Sequence, residues 1–325
     1  MADSLLTENA AVSRFVFLLL PNYSMTGFAS AVEPLRIANR MAEQTIYEWK
    51  IISETGENVR CSNGAALVVD GAFSELDRDQ TIIVCGGMDI KSVTTKTVMG
   101  WLRRESRKGM AIGALCTASY VLAKAGLLDG RRATIHWENR ESFLEEFPDL
   151  ELSTAIFTVD RNRYTSAGGA ASLDLMLKLI GSKHGAKLAN AVADQMIHTA
   201  IRTDKDDQRL SIPTRIGVRH PKLAKVIHIM EENLEEPISP SDLADDVGMS
   251  TRQLERLFRR YLDRSPKRYY MELRLRKSRN LLLQTEMSVI NVALACGFSS
   301  PSHFSKCYRS HFQTTPYRER GAQEN

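Results

Sequence analysis

The sequence LADDVGMS at residues 243–250 recurs in altered form as VALACGFS at residues 292–299. The offset between the two stretches is 49 residues, and after one inserted residue it becomes 50, so that Ser265-Pro266 corresponds to Thr315-Pro316. A doubled unit of this length indicates two copies of one supersecondary element. This repeat therefore decides the architecture of the last third of the chain.

Each copy has the pattern of a helix-turn-helix. Ala244 and Ala293 are small enough for a second helix to pack closely against the first. Four residues later, Gly248 and Gly297 can adopt the positive φ angle of a tight turn. We place the two motifs at about residues 240–262 and 288–312.

The second helix of each motif has a predicted cap and a buried stripe. Ser250 is expected to cap the first of these helices with Gln253 at the capping-box position, and Ser300 caps the second with Pro301 in its first turn. Apolar residues at helical spacing then turn one face of each helix towards the core. The polar residues off these stripes are the predicted DNA contacts: Arg252, Gln253, Arg256, Arg259 and Arg260 in the first copy, and Ser302, His303, Lys306 and Arg309 in the second.

A long helix is predicted between the two motifs, from Pro266 to Gln284. Arg276 and Arg279 on this helix are also predicted DNA contacts, but without a base to read. One rigid connecting helix would hold both recognition helices on the same side of the domain. They would then fit successive major grooves, which lie about 34 Å apart.

Charge is distributed unevenly along the chain. From Thr251 to Asn325 there are 15 lysines and arginines against 6 acidic residues, a net charge of +9. Because the whole chain carries +4, the preceding residues carry −5. A basic C-terminal segment on an acidic body is typical of a nucleic-acid-binding module. From charge alone, a solvated basic face is the alternative.

The segment from His220 to Arg320 resembles the DNA-binding domain of the AraC/XylS family. The resemblance includes the ending typical of that family, which here reads ACGFSSPSHFSKCYRSHFQTTPYRER at residues 295–320. We place this domain at residues 221–322. The resemblance implies a transcription regulator that binds double-stranded DNA, more often as an activator than as a repressor. It also implies RNA polymerase as a partner and a homodimer.

Residues 12–200 alternate short apolar runs with amphipathic stretches, as in RFVFLLL at residues 14–20 and TIIVCGG at residues 81–87. Strand–helix alternation of this kind predicts an α/β domain with a mostly parallel, flavodoxin-like sheet. The polar stretch at residues 201–220, which contains Pro213, is predicted to be a linker. Every later segment has helical period, so the second domain is predicted to be all-α.

Cys116 lies where a predicted strand gives way to a helix, which is the geometry of a nucleophile elbow. The amides at the start of that helix are able to lower the pKa of a thiol. His136 follows twenty residues later, and Gly86-Gly87 ends the central strand. Together these features resemble the PfpI-type, class I glutamine-amidotransferase-like domain, over residues 12–200.

A small-molecule pocket is predicted at this elbow, because ligands of open α/β sheets bind beyond the carboxyl ends of the strands. Tyr23 and Trp137 could stack on a cationic amine. The resemblance to chains that combine both domains implies an amine, a betaine or an amino acid as the effector. The predicted lining is Asn22, Tyr23, Glu33, Gly87, Met88, Cys116, Thr117, His136 and Trp137.

Two departures from catalytic relatives argue against an enzyme. The loop after the first strand, residues 22–27, has no acid, and the first carboxylate downstream is Glu33. Thr117 stands where hydrolytic relatives often have histidine. We therefore predict a sensor with no catalytic residue. The alternatives are a Cys-dependent amidase or aldehyde-modifying hydrolase with an appended DNA-binding domain, and a constitutive DNA-binding protein whose α/β half only dimerises. A separate alternative for the elbow is that Cys116 is a buried small apolar residue and His136 a core histidine.

The five cysteines are odd in number and lack CxxC spacing, so they favour neither a structural zinc site nor a disulfide framework. A reducing cytosol fits this cysteine usage. The N-terminus lacks a basic region followed by an apolar one, and no apolar run approaches the ~20 residues of a membrane span. The sequence thus predicts a cytoplasmic protein without metal, cofactor or membrane partner.

Overall fold

A computed structural model describes residues 11–321 and divides them into two compact units, with the boundary between Gln208 and Arg209. The first unit alternates strands with helices, as the sequence predicts. Its elements in chain order are β1 (Ser13–Leu19), α1 (Met25–Met41), β2 (Tyr47–Ile52), β3 (Val59–Arg60), β4 (Ala66–Leu67), β5 (Gln80–Cys85), α2 (Ile90–Val93), α3 (Lys96–Ser106), β6 (Ala111–Leu115), α4 (Ser119–Lys124), α5 (Arg140–Glu146), β7 (Phe157–Asp160), β8 (Arg163–Ser166), α6 (Ala171–His184) and α7 (Ala186–Gln195).

Six strands form one sheet in the order β2-β1-β5-β6-β8-β7. All neighbours pair in parallel except β7 and β8, which form an antiparallel pair at one edge. The predicted mostly parallel α/β fold is therefore confirmed. The small β3–β4 ribbon lies outside this sheet.

Both faces of the sheet are covered by helices, which explains the continuous apolar run of β1. Phe17 and Leu19 point into a core shared with α1, α6 and α7. Val16 and Leu18 point into a second core, shared with α3, α4 and α5. Because successive side chains of a strand face opposite sides, a strand buried on both faces needs apolar residues at every position.

The stretch predicted to be a linker, residues 201–220, contains more structure than its polar sequence suggests. Its first part belongs to the first unit, where Asp207 forms an antiparallel bridge with Ala155. A short helix follows at Ile212–Ile216, and its apolar ends pack on the core of the second unit. Pro213 lies in the first turn of that helix, where its missing amide costs nothing, so it starts a helix instead of marking a loop.

The second unit is all-α, as predicted. Its helices are α8 (Ile212–Ile216), α9 (Pro221–Glu232), α10 (Pro240–Asp245), α11 (Thr251–Leu262), α12 (Pro266–Gln284), α13 (Val289–Ala295), α14 (Pro301–Phe312) and α15 (Pro316–Gly321). The pairs α10–α11 and α13–α14 are the two helix-turn-helix motifs. Each pair has an apolar core of its own, and α12 contributes residues to both.

Within residues 11–321, no helix combines the length and the apolar character needed to cross a membrane. Over the same residues, the structure contains no cluster of three or more His, Cys, Asp or Glu side chains suited to a metal ion.

Candidate functional site

The first recognition helix, α11, begins with the predicted capping box. The Ser250 hydroxyl accepts a hydrogen bond from the Gln253 amide at 3.3 Å, and Gln253 Oε1 accepts one from the Ser250 amide at 2.8 Å. Leu254, Leu257 and Phe258 are buried on the inner face. The four arginines predicted to contact DNA, Arg252, Arg256, Arg259 and Arg260, are all exposed. Gln253 is exposed too, but its side-chain oxygen serves the cap.

A groove of about 220 Å³ lies beside this helix, between α11 and the start of α9. Its walls carry the side chains of Arg256 and Arg260 together with His220, and Leu257 is the apolar part of the lining nearest the core. The Arg260 guanidinium lies 5.3 Å from the centre of the Tyr261 ring. Two arginines beside an open groove suit the phosphate backbone of a nucleic acid.

The second recognition helix, α14, has the same frame with fewer charges. Ser300 caps it by accepting a hydrogen bond from the His303 amide at 3.4 Å, and Pro301 occupies its first turn. Phe304 and Tyr308 are buried. The predicted contacts Ser302, His303, Lys306 and Arg309 are exposed. His303 Nε2 also lies 3.3 Å from Cys307 Sγ, so this imidazole has a neighbour on its own helix.

The connecting helix has the predicted bounds, but its arginines differ in their surroundings. Arg276 is exposed. Arg279 donates two hydrogen bonds to Glu319 Oε1, at 2.9 and 2.7 Å, and its guanidinium lies 4.8 Å from the centre of the Phe312 ring. Its charge is therefore already paired within the unit, which weakens the case for Arg279 as a DNA contact.

Arg274 has a role that the sequence did not reveal. Its guanidinium donates to the carbonyl oxygens of Cys296 at 2.7 Å and Gly297 at 2.6 Å, and it lies 4.1 Å from the centre of the Phe298 ring. These groups form the turn of the second motif. Arg274 thus fixes that turn to the connecting helix. No sequence signal could have indicated this, because two of its three partners are backbone carbonyls.

In the first unit, Cys116 follows β6 and has a φ angle of +61°, which is rare for a residue other than glycine. This strained turn is the predicted elbow. Burial raises the pKa of the Cys116 thiol to about 11, and the hydrogen bond from the Thr117 amide offsets only part of that effect. The thiol is therefore protonated at neutral pH, because burial outweighs the helix amides.

His136 adjoins the elbow through its backbone. Its amide donates to the Cys116 carbonyl at 3.3 Å, and its Nδ1 accepts a hydrogen bond from the Glu138 amide at 3.4 Å. Burial lowers the pKa of His136. Among the described hydrogen bonds, none joins the two side chains of the Cys–His pair. In this arrangement the imidazole is therefore not placed to take the proton of the Cys116 thiol.

Glu138 is a site residue that the sequence analysis missed. Its negative charge raises the pKa of both Cys116 and His136, although burial has the larger effect on each. The signal was present in the sequence as an acid two residues after His136. Spacing alone does not show that this acid comes close to Cys116, because the approach depends on the fold.

Five of the predicted pocket residues meet between the first loop and the elbow. The Asn22 carbonyl accepts a hydrogen bond from the Met88 amide at 3.0 Å, and Tyr23 forms a backbone bridge with Gly87. The Thr117 hydroxyl donates to the Gly87 carbonyl at 2.7 Å. A Cβ atom on Gly87 would lie 2.0 Å from the Asn22 oxygen, so only glycine fits this crossing.

Three of the predicted pocket residues have side chains in different surroundings. The Tyr23 ring is fully buried and packs edge-on against Phe28, with 5.8 Å between the ring centres. Burial raises the pKa of Tyr23 to about 12, and its hydroxyl has no hydrogen-bond partner. Glu33 forms an ion pair of 2.6 Å with Arg36 on the surface of α1. Trp137, by contrast, is 43% exposed and borders the His136 ring at 5.6 Å.

Comparison with known proteins gives matches to both units. A model of the DJ-1/PfpI family matches residues 16–182, and a model described as a helix-turn-helix domain matches residues 243–322. An AraC family transcriptional regulator from Pseudomonas putida superposes with a TM-score of 0.50 and 30% identity over 56% of this chain and 98% of that one. A ThiJ/PfpI family protein from Pseudomonas syringae has a TM-score of 0.53 at 19% identity over 68% of this chain and 87% of its own, which shows the fold alone.

Relatives along the whole length are regulators by name. The HTH-type transcriptional regulator CdhR of Pseudomonas aeruginosa is 47% identical over 94% of this chain and 91% of its own. GbdR of the same species is 45% identical over 94% of this chain and 84% of its own, and GlxA of Rhizobium meliloti is 38% identical over 95% and 96%. These relatives carry both units in one chain. The chain therefore belongs to the AraC family of DNA-binding transcriptional regulators, in the group that joins a DJ-1/PfpI domain to a C-terminal helix-turn-helix domain.

Proposed function

We propose that the protein is a ligand-responsive transcription activator, in which the first unit binds a small amine, betaine or amino acid and the second unit reads an operator. The observation that carries the DNA-binding part is the pair of capped recognition helices with exposed polar faces on one connecting helix. The regulator acts as a homodimer that contacts RNA polymerase, and it works in the cytoplasm, where a bacterial chromosome lies.

We assign each DNA-binding residue a base contact or a phosphate contact from the exposure of its side chain and from the partners it already has within the unit. Arg252 and Arg256 lie one turn apart on α11, and at least one of them reads base edges. Arg259, Arg260 and Arg276 hold the phosphate backbone. Gln253 and Arg279 contribute less to DNA binding than their charge or polarity suggests, because their side chains already have partners in the unit.

The DNA-binding proposal is tested with the full chain. A preferred operator is first selected from a pool of random duplexes, and its affinity is then measured at 50 and 200 mM salt. If about 6–10 phosphates are contacted, the affinity falls by about 10³–10⁵ over this range. Arg40→Ala changes an exposed arginine of the first unit and serves as the control, with unchanged affinity. Binding that does not depend on salt would contradict the proposal.

The effector site is proposed at the elbow, with Trp137 and Glu138 as its cation-recognising side chains. Trp137 offers an exposed aromatic face, and Glu138 supplies a negative charge close to Cys116. An aromatic face with a nearby carboxylate suits an ammonium group. The raised pKa of the Cys116 thiol and the lack of a described hydrogen bond from it to the His136 ring favour binding over nucleophilic catalysis, so we propose that the chain is not an enzyme.

Cys116→Ser separates a sensor from a thiol-dependent hydrolase. Amines, betaines and amino acids are screened for compounds that raise the melting temperature, and the best is then added to a reporter strain and to a depletion assay. A sensor keeps its response with ligand affinity changed about tenfold or less, whereas a hydrolase loses turnover by orders of magnitude. Cys116→Trp fills the site and abolishes the response, but DNA binding is kept. Loss of both depletion and response in Cys116→Ser would show an enzyme.

A further inference from the structure

The end of the first unit is attached to the loop that carries His136. Residues 133–136, which we call the elbow loop, are followed far along the chain by residues 203–208, which we call the exit segment. The side-chain Nε2 of Gln208 donates its two N–H groups among three acceptors, which are Thr134 Oγ1 at 2.9 Å, the Ile135 carbonyl at 2.9 Å and the Ala155 carbonyl at 3.1 Å. One side chain thus joins the exit segment to the elbow loop.

The elbow loop is held just as directly to the elbow itself. The His136 amide donates to the Cys116 carbonyl, and the Ser119 hydroxyl donates to the Thr134 carbonyl at 2.6 Å. Ser119 and Thr134 are fully buried, so these contacts persist without competition from water. A change in the position of Cys116 therefore reaches Gln208 through two residues of the elbow loop.

The exit segment has a firm attachment upstream of Gln208. The fully buried Asp174 carboxylate accepts hydrogen bonds from His198 Nε2 at 2.8 Å and from Arg202 at 2.9, 3.0 and 2.6 Å. A buried charge that is paired in this way resists separation. These contacts anchor the chain to the first unit as far as Arg202.

The attachment at Gln208 is weaker by comparison. Gln208 Oε1 is buried and has no hydrogen-bond partner. Turning the amide over would place this oxygen against three acceptors, so the orientation is fixed and the oxygen stays unsatisfied. A buried acceptor without a partner gains hydration when it is released, which makes this contact easier to open than a fully paired one.

The chain that connects the two units is short. Arg209, the residue after Gln208, belongs to the second unit, and its Nη1 lies 3.8 Å from Glu231 Oε1. A change in the backbone of Gln208 therefore acts directly next to the start of the second unit.

We propose that Gln208 is the positioning residue that reports occupancy of the elbow to the DNA-binding unit. This inference rests on the effector site proposed above, because an occupant of the elbow displaces the elbow loop. The loop opens or closes the Gln208 attachment, and this moves the start of the second unit. The two states differ in whether the amide of Gln208 is bonded to Thr134, Ile135 and Ala155.

The first test needs no effector and uses hydrogen exchange of the full chain. The His136 amide reports the elbow contact, and the Ile156 amide, which donates to the Asp206 carbonyl at 3.0 Å, reports the exit segment. Gln208→Ala raises exchange at both amides by at least about tenfold. Gln208→Met, which fills the space without donors, does the same. Lys205→Ala, in an exposed residue of the same segment, changes neither.

The second test uses iodoacetamide as the probe, in a Cys307→Ser background so that the half-buried Cys307 does not react. At alkaline pH the Cys116 thiolate displaces iodide, and the added acetamide group occupies the elbow. In the otherwise unchanged chain, alkylation alters affinity for the selected operator by at least about tenfold and speeds exchange at Ile156. In Gln208→Met, alkylation leaves operator affinity unchanged.

The two proposals fail in different ways. An equal change of operator affinity on alkylation with and without Gln208 would overturn the inference, as would exchange in Gln208→Met that matches the unchanged chain. An alkylated chain whose exit segment opens while operator affinity stays constant would overturn it too. An unmodified chain that binds no operator would instead contradict the proposed function, whatever the exchange experiment shows.

Discussion

The turns of the two helix-turn-helix motifs have the same backbone but different surroundings. Gly248 has a φ angle of +60° and Gly297 one of +72°. A Cβ atom on Gly248 would meet only the flexible end of Lys222, at 4.0 Å. On Gly297 it would lie 2.6 Å from the Glu235 carbonyl oxygen, which is backbone. The first turn needs glycine for its torsion alone, whereas the second needs it for torsion and for space.

The helices on either side of these turns show the same division between a shared frame and different surfaces. The helix before the first turn exposes Asp242 and Asp245, and the corresponding helix of the second motif exposes Ile290 and Leu294. The buried positions stay alike, because Ala244 and Ala293 are both fully enclosed. The two copies are thus alike at the buried positions and differ at the exposed ones.

Alanine in place of each turn glycine should show the largest difference between the motifs. Gly248→Ala introduces strain of about 1 kcal/mol from a positive φ angle. Gly297→Ala adds a contact with backbone that cannot move aside, so we expect the free energy of unfolding to fall by more than about 3 kcal/mol. Urea unfolding followed by circular dichroism would measure both. Equal losses would show that the two turns are equivalent.

The second largest contrast is expected in operator affinity, between alanine substitutions in the first recognition helix and those of predicted phosphate contacts. Arg252→Ala and Arg256→Ala should each cost about 1–3 kcal/mol on the selected operator and relax its specificity. Lys306→Ala and Arg276→Ala should weaken binding to specific and random duplexes by equal factors, because they hold phosphates. Titrations with both kinds of duplex separate these cases. If Arg252 and Arg256 variants lose the same factor on random DNA, the assignment of base contacts is wrong.

The smallest contrast concerns the two caps. Ser250→Ala removes one half of a reciprocal pair and should cost about 1 kcal/mol of stability. Ser300→Ala should cost less, since the helix that Ser300 caps has no described reciprocal bond like that of Gln253, and Pro301 already has a helical φ angle. Thr is the matched conservative replacement at both positions. A larger loss of stability for Ser300→Ala than for Ser250→Ala would contradict this prediction.

What could be predicted from the sequence is what depends on neighbours in the chain. The caps at Ser250 and Ser300, the bounds of α12 and the parallel sheet follow from spacing and apolar pattern, which act over a few residues. The elbow at Cys116 was also visible as a strand-to-helix transition. Its thiol pKa was not, because burial comes from distant segments.

The features that were missed depend on contacts between distant residues. Arg274 and Gln208 donate hydrogen bonds to backbone carbonyls of segments that are distant in the sequence. Every residue has a backbone carbonyl, so the sequence does not indicate which of them a side chain will bind. From the sequence, Tyr23 is predicted to be available for stacking on a ligand. In the structure its ring is buried against Phe28. Pro213 lies in a polar stretch that is predicted to be a linker, yet in the structure it stands in the first turn of a helix, where proline is favourable.

The exit segment determines where this regulator can be recombined with others. A chimera spliced at residue 201, where the polar sequence begins, would separate Arg202 from Asp174 and Gln208 from Thr134. The sensor unit would then lose the β-bridge between Ala155 and Asp207. The transferred DNA-binding unit would carry residues 201–208 without the residues they contact. A splice between Gln208 and Arg209 leaves each module with the contacts it evolved with. Modular exchange in this group should therefore use that single peptide bond as its junction.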